Sequence, residues 1–329
     1  MRAVWYTDFG SAAEVLQIGT IEAPEPGPGE VRVRLAASGV NPVDVKRRRG
    51  ARGGLPSSRV IPHFDGAGVV DRVGDGVPEA RIGERAWVFE AQWQRAFGTA
   101  AEFVVVAADR AVELPDNTGF AEGACLGIPA VTAHRCVFAD GPVSGQTVVV
   151  TGGAGAVGAY AIQFAKLGGA EVIATVSSGE KAAVAAAAGA DHIIDYKDED
   201  VAARIEHVTA GAGADRIVEV AFGGNLATSL AALKPNGVIA TYASDAVLEP
   251  AVPFYALVYK NVTIRHVLVF GLPEAAKRHA VADISRWLEG DSLRHHIGPR
   301  FRLEQTAAAH EAVEAGPLGN VVVEIGEEE

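Results

Sequence analysis

Thr147-Val-Val-Val-Thr151-Gly152-Gly153-Ala154-Gly155-Ala156-Val157-Gly158 joins a short apolar strand to a glycine turn that opens a helix. In that setting Gly153 permits the tight turn, Gly155 lets a pyrophosphate approach the backbone, and Gly158 lets helix and strand pack closely. The helix start adds N–H groups with no partner inside the helix, a natural anion site. A G-x-G-x-x-G spacing alone in a chain with 38 glycines is weak evidence. Its position within a strand–turn–helix–strand unit is what points to a dinucleotide, against the alternative of a purely structural glycine turn.

The rhythm around the loop supports this. Thr147-Val-Val-Val-Thr, Glu171-Val-Ile-Ala-Thr-Val, His192-Ile-Ile-Asp, Arg216-Ile-Val-Glu-Val and Gly237-Val-Ile-Ala-Thr-Tyr read as strands. Helices are expected to start near Val157, Glu180, Glu199 and Asn225, the last ending before a Pro235-Asn236-Gly237 turn. This alternation predicts an α/β fold, a doubly wound parallel sheet. Residues before about 122 read differently. Val31, Val33 and Leu35 alternate with polar residues, and Gly68-Val-Val-Asp-Arg-Val and Arg85-Ala-Trp-Val-Phe follow, separated by Pro-Gly clusters, which predicts a mostly antiparallel β domain. The helix around Ala275–Leu288 and the strand Asn320-Val-Val-Val-Glu-Ile are too few for a third domain and are expected to complete the first. The domains are therefore expected at 1–122, 123–268 and a return segment 269–329.

Composition excludes several classes. The 329 residues are 49% hydrophobic and 21% charged, a globular balance. Twenty-nine Lys+Arg against 41 Asp+Glu leave a net charge of −12, which argues against a nucleic-acid partner. The two cysteines, Cys125 and Cys136, cannot build a disulfide scaffold or a four-cysteine zinc lobe and suit a reducing compartment. The start, Met1-Arg-Ala-Val-Trp-Tyr, lacks a signal-peptide pattern, and no run reaches the ~18 apolar residues of a membrane span. The chain reads as cytoplasmic, with no membrane partner.

The end of the second strand bears on cofactor choice. Where an Asp or Glu would hold a ribose 2′-hydroxyl, Ser177 and Ser178 follow Val176, with Lys181 four residues after Ser177 and Tyr196 ending the third strand. Hydroxyls and an ammonium suit a 2′-phosphate, so NADPH is expected. The plainer alternatives are a solvated Lys181 and a rim aromatic at Tyr196.

Further motifs carry a resemblance. Ala37-Ser-Gly-Val-Asn-Pro-Val-Asp44, Ile61-Pro-His-Phe-Asp-Gly-Ala-Gly68, Phe97-Gly-Thr-Ala-Ala-Glu-Phe103, Gly127-Ile-Pro-Ala-Val-Thr-Ala-His134 and the glycine loop occur in this order along the whole chain. Together they resemble the zinc-independent quinone oxidoreductases of the medium-chain dehydrogenase/reductase superfamily, typified by zeta-crystallin. The resemblance implies a GroES-like catalytic domain built from both chain ends, a Rossmann domain inserted in it, and a cleft at their junction. It places Asn41, Phe64 and Ile128 where zinc-dependent relatives carry ligands, and none of the three suits zinc. Metal is therefore expected to play no part.

Without a Lewis acid, the expected acceptor is electron-poor, a quinone or an α,β-unsaturated carbonyl. The resemblance makes Asn41 the candidate hydrogen-bond donor to the acceptor oxygen, with Asp44 orienting the site; the alternative for Asn41 is a turn cap. It sets Thr132 beside the nicotinamide, and Ser244 and the segment Val267 to Phe270, including Val269, along the cofactor. Asn320 stands where many relatives carry a basic residue that reaches toward the cofactor. Trp87, Phe89, Trp93 and Phe97 form either an apolar acceptor wall or core. A methyltransferase and a non-catalytic NADPH-binding protein are the competing classes. The apolar run Asn261-Val-Thr-Ile-Arg-His-Val-Leu-Val-Phe reads as a long late strand whose edge invites a homodimer.

Overall fold

A computed structural model describes residues 1–51, 53–55 and 57–326. By contact density the chain divides into two compact units, Met1–Ile128 with Val281–Glu329, and Pro129–Ala280. Both divisions fall inside helices, Gly127–Phe138 and Glu274–Glu289, C-terminal to the expected positions.

In the first unit, β1 (Arg2–Trp5) and β2 (Gln17–Thr20) form an antiparallel pair. The long β3 (Glu30–Val40) pairs antiparallel with β4 (Asp65–Val73) and with β6 (Phe103–Ala107), while β5 (Arg85–Val88) links β4 to β7 (Ala111–Glu113). Val31, Val33 and Leu35 are buried as their alternation predicts. Arg32 between them is buried too, because Asp71 and Glu25 take its guanidinium, which also lies over Phe103.

The second unit holds, among the described residues, a six-stranded sheet. Its strands are β8 (Thr147–Val150), β9 (Glu171–Val176), β10 (His192–Asp195), β11 (Ala214–Glu219), β12 (Leu233–Thr241) and β13 (Thr263–His266). All pairs are parallel, in the order β10-β9-β8-β11-β12-β13, the doubly wound arrangement. Val148, Val149 and Val150 are all buried, as expected of a parallel strand covered on both faces.

The chain then returns to the first unit. β15 (Asn320–Glu324) pairs antiparallel with β3, and β14 (Ile297–Arg302) lies parallel to β15, so the C-terminus completes the first sheet.

Two expectations are corrected. β12 does not start after the Pro235-Asn236-Gly237 turn but runs through it. Leu233 pairs with Ala214 and Val238 with Arg216, so the intervening residues bulge, with Asn236 at φ 63° and its N–H bonded to the Lys260 carbonyl. The late apolar run yields only the four-residue β13, at the sheet edge, because the chain turns at once to bury Val269 and Phe270 in a short 3-10 turn.

Arg216 on β11 is buried, its Nη1 donating to the Cys136 carbonyl (2.8 Å) and its Nη2 to Asp140 (3.0 Å). Asp140 keeps Arg265 as a second partner, so Arg216→Met strands one carbonyl rather than a charge. We expect a loss of about 1–3 kcal/mol, read as a lower urea midpoint at unchanged slope.

Candidate functional site

The glycine turn sits between β8 and the helix Ala156–Leu167, with Gly155 as a cap that offers no side-chain bond. The close approach is backbone to backbone: a Cβ on Gly158 would stand 2.2 Å from the Gly152 carbonyl oxygen. Gly152 itself takes φ 64°, open to glycine and few other residues. At exposed Gly155 an added Cβ would meet only the Gly152 oxygen, at 3.2 Å, so an anion can reach the N–H groups of Ala156 and Val157. Ala154 is buried beneath the turn. This cradle fits a pyrophosphate.

At the end of β9 the structure gathers three expected residues. Lys181 Nζ donates to Ser177 Oγ (3.1 Å), and the Tyr196 N–H donates to the Val176 carbonyl (3.1 Å), placing its exposed ring at the same strand end. Ser178 instead caps the helix Gly179–Ala187, its hydroxyl accepting from the Lys181 N–H. The cationic and hydroxyl groups fit a 2′-phosphate.

A buried carboxylate that the sequence reading passed over braces the turn. Glu219, ending β11, accepts from Thr151 Oγ1 (3.0 Å), the Ala221 N–H (2.6 Å), Asn225 Nδ2 (2.9 Å) and Ser229 Oγ (3.1 Å). Ser244 is tied into the loop after β12, accepting from the Gly223 N–H and donating to the Val247 carbonyl. Val267 and Val269 are buried after β13, and Thr132 is buried on the helix Gly127–Phe138.

The first unit has a polar centre of its own. Asn41-Pro42-Val43-Asp44 starts the helix Pro42–Arg48: Asn41 is its N-cap, Pro42 its first residue, and Asp44 Oδ2 accepts the Asn41 N–H (2.7 Å). The Asn41 carboxamide points elsewhere, donating from Nδ2 to Asp65 Oδ2 (2.9 Å). The same oxygen accepts the Ile128 N–H (2.8 Å) at the start of the helix Gly127–Phe138. Gly127 is required there, since an added Cβ would lie 2.1 Å from Asp65 Oδ1.

Burial dominates the electrostatics of this centre. It pushes the Asp65 carboxyl up to about 7, against the opposing bonds from Ile128 and Asn41. It also pushes Asp44 well above the usual carboxylate range, opposed by the Asn41 N–H and reinforced by the charge of Asp65. His63 is buried behind them at φ 78°, its Nδ1 2.8 Å from Ser38 Oγ and its Nε2 3.0 Å from His310 Nε2.

None of the positions expected to lack zinc ligands offers one. Asn41 Nδ2 is donated to Asp65, Ile128 contributes only its backbone, and the Phe64 ring is fully buried beneath Arg47. Trp87 and Phe89, one of the two readings of which was an acceptor wall, are core, with ring centroids 5.4 Å apart. Asn320 is bonded within its unit, its Nδ2 donating to the His296 carbonyl (3.1 Å). Asp65, His63 and His310 carried no pattern in sequence beyond the Pro-His-Phe-Asp motif, because their meaning lies in what folds against them.

Residues 27–116 match the family described as Alcohol dehydrogenase GroES-like domain, and residues 156–286 that described as Zinc-binding dehydrogenase. With the two folds above, this pairing defines a medium-chain dehydrogenase/reductase. A quinone oxidoreductase of Pseudomonas aeruginosa is 32% identical over 94% of each chain. A 2-methylene-furan-3-one reductase of Solanum lycopersicum is 33% identical over 72% of this chain and 64% of that one. A mycobacterial protein solved in complex with NADPH superposes with TM-score 0.86 at 27% identity, covering 98% of this chain and 99% of that one. The chain belongs to the quinone oxidoreductase family.

The raised Asp65 carboxyl has a signature in stability. Between about pH 4, where an unfolded Asp releases its proton, and about 7, where the folded one does, the folded state binds the extra proton. Stability from this group therefore falls as pH rises through that window and levels off above it. Buried His63, lowered by burial from 6.5 to about 3, acts with the opposite sign across that interval, and His310, lowered the same way, acts likewise below its ordinary value. The difference between wild type and Asp65→Asn isolates the carboxyl. The variant's relative stability is expected to rise with pH by up to ~1.4 kcal/mol per unit across the window and to stay flat above it, measured by urea titration at a series of pH values.

Proposed function

We propose that this protein is an NADPH-dependent oxidoreductase that transfers hydride to a quinone without a metal. Residues 1–122 with 269–329 act as its catalytic domain and 123–268 as its cofactor domain. The observation that carries the reading of the cofactor is the Lys181–Ser177 contact at the end of β9 beside Tyr196, where an NAD site would carry an acid. The quinone is supported by the family, and the absence of a metal by the residues at the expected ligand positions.

Gly153, Ala154, Gly155, Ala156, Val157 and Gly158 would hold the pyrophosphate and Ser177, Lys181 and Tyr196 the 2′-phosphate, with Thr132, Ser244, Val267 and Val269 along the rest. Bound NADPH supplies hydride, so that quinone, NADPH and a proton give hydroquinone and NADP⁺. Asn41 keeps one N–H for the acceptor oxygen after committing the other to Asp65, and an amide donor polarises a carbonyl without titrating. Asp44 holds the backbone of Asn41 in place. A second reading, reduction of an enone, uses the same donor, and the tomato reductase's resemblance favours it.

The test is a panel of quinones, enals, enones and alcohols with NADPH or NADP⁺, followed by absorbance of the reduced cofactor. Quinone turnover undiminished by exhaustive chelation is expected; turnover of enones alone would favour the second reading, and turnover of neither would reject both. Ser177→Asp should set a carboxylate against the 2′-phosphate, and the ratio of kcat/KM for NADPH over NADH should fall by at least ~10-fold. An unchanged ratio would remove the case for NADPH.

The same proposal includes a cytoplasmic homodimer. The two cysteines are free and buried, and no helix among the described residues is long and apolar enough to cross a membrane. β13 is an edge strand, and the helix Phe254–Tyr259 before it exposes Phe254, Tyr255 and Tyr259. An unpaired edge beside exposed aromatics favours association with a symmetry mate. Sedimentation is expected to give twice the chain mass, and Tyr255→Glu to shift it toward the monomer; a concentration-independent monomer in the wild type would reject the dimer.

A further inference from the structure

We propose that Asp65 is the positioning residue for Asn41, and that it is itself held by a one-way chain of buried hydrogen bonds that begins at His310 in the C-terminal return segment. The proposal rests on the reading of Asn41 as the donor to the acceptor oxygen, and it names what fixes that donor.

The direction of the chain follows from its last member. The Asp65 backbone carbonyl can only accept, so Thr99 Oγ1, 2.6 Å away, donates to it. Thr99 has then spent its proton and accepts from Ser38 Oγ at 2.7 Å. Ser38 has spent its own in turn, so it accepts from Nδ1–H of His63 at 2.8 Å. Burial holds His63 and His310 neutral, lowering His63 to about 3 and His310 well below its ordinary value, so each ring carries one N–H. His63 Nε2 is then an acceptor, and it takes Nε2–H of His310 at 3.0 Å. Each of the four protons has one place to go, and both tautomers are determined. The stacked rings, with centroids 5.1 Å apart, and the left-handed φ of His63 bring the chain to the residue two before Asp65.

From this anchored backbone the Asp65 carboxylate reaches Asn41 Nδ2 and the Ile128 N–H with a single oxygen. With Asp65 ionised, above about pH 7, a half-turn of the Asn41 carboxamide would set its Oδ1 against that oxygen, two acceptors face to face, so the amide then has one orientation. The helix Thr306–Glu314, which carries His310, therefore acts on Asn41 through five side chains rather than by touching it.

Two measurements on the full-length protein test this. Long-range ¹H–¹⁵N spectra of the histidine rings should show neutral His63 protonated at Nδ1 and neutral His310 at Nε2; His63 protonated at Nε2 would overturn the chain. In quinone reduction with NADPH, Asp65→Asn keeps a carboxamide oxygen that can take both N–H groups and should retain most of kcat. Asp65→Leu should lower kcat by at least ~10-fold at unchanged KM for NADPH, the cost of a donor held in the wrong place. His310→Gln, which still donates, should likewise exceed His310→Leu in kcat. Equal kcat in Asp65→Leu and wild type, or an equal loss in Asp65→Asn and Asp65→Leu, would overturn the proposal. If the wild type reduces no quinone, the functional reading fails separately. The Asn41 side-chain amide signal then still decides the positioning role: its bonded proton should lie downfield in the wild type and Asp65→Asn and collapse toward its partner in Asp65→Leu. If Asp65→Leu does not fold, the ring tautomers and the wild-type amide signal decide it alone.

Discussion

A carboxylate removed from water can persist only where donors replace its hydration, and the first unit is arranged around meeting that demand at Asp65. One oxygen receives the Asn41 amide and the Ile128 N–H in the first turn of the helix Gly127–Phe138, where the helix dipole also favours a negative charge. The start of that helix must be glycine to come so close, and Asn41 must be the N-cap of another helix for its side chain to be available. These donors do not cancel the cost of burial, which is why the carboxyl remains raised. A purely structural helix cap gains nothing from being so deeply desolvated, whereas a group that fixes the orientation of a polar neighbour benefits from the strength of interactions in a dry site.

The second unit meets an equivalent constraint with Glu219. Four donors, from Thr151 just after β8, the turn after β11 and the following helix, converge on one buried carboxylate, bracing the strand ends beside the glycine turn. The turn itself is closed by the Gly155 N–H on the Gly152 carbonyl and tied to β9 by the Gly153 N–H on the Thr175 carbonyl, so the N–H groups left open are those of Ala156 and Val157 at the start of the helix. In both units the groups available for chemistry are exposed or half-committed, and the groups that hold them are buried and bonded.

The pattern of the chain made the parallel sheet and the glycine cradle legible because both depend on local chemistry. A run of valines before Gly153-Ala154-Gly155-Ala156-Val157-Gly158 has few other ways to fold, and the strand-end residues Ser177, Lys181 and Tyr196 gather because parallel neighbours end together. Asn41 and Asp44 were visible only through the motif Ala37–Asp44 that carries the resemblance, since local chemistry by itself offers the plainer reading of Asn41 as a turn cap. Of the two readings open for Trp87 and Phe89, wall or core, their burial fits core, and a residue's type in sequence does not reveal which neighbour will claim it.

By itself, then, the sequence determined the order of elements and the nucleotide-type turn, which follow from residue type and spacing over a few positions, while the resemblance alone marked Asn41, Phe64 and Ile128 as positions where relatives carry zinc ligands. Only the tertiary structure decided that Asp65 and Glu219 are the hubs, that His63 meets His310 from the opposite end of the chain, and that the late apolar run gives a four-residue edge strand. The physical reason is that hydrogen bonds between residues 24 to 247 positions apart are selected by burial and by the number of donors each acceptor can still take, and neither exists until the chain has folded.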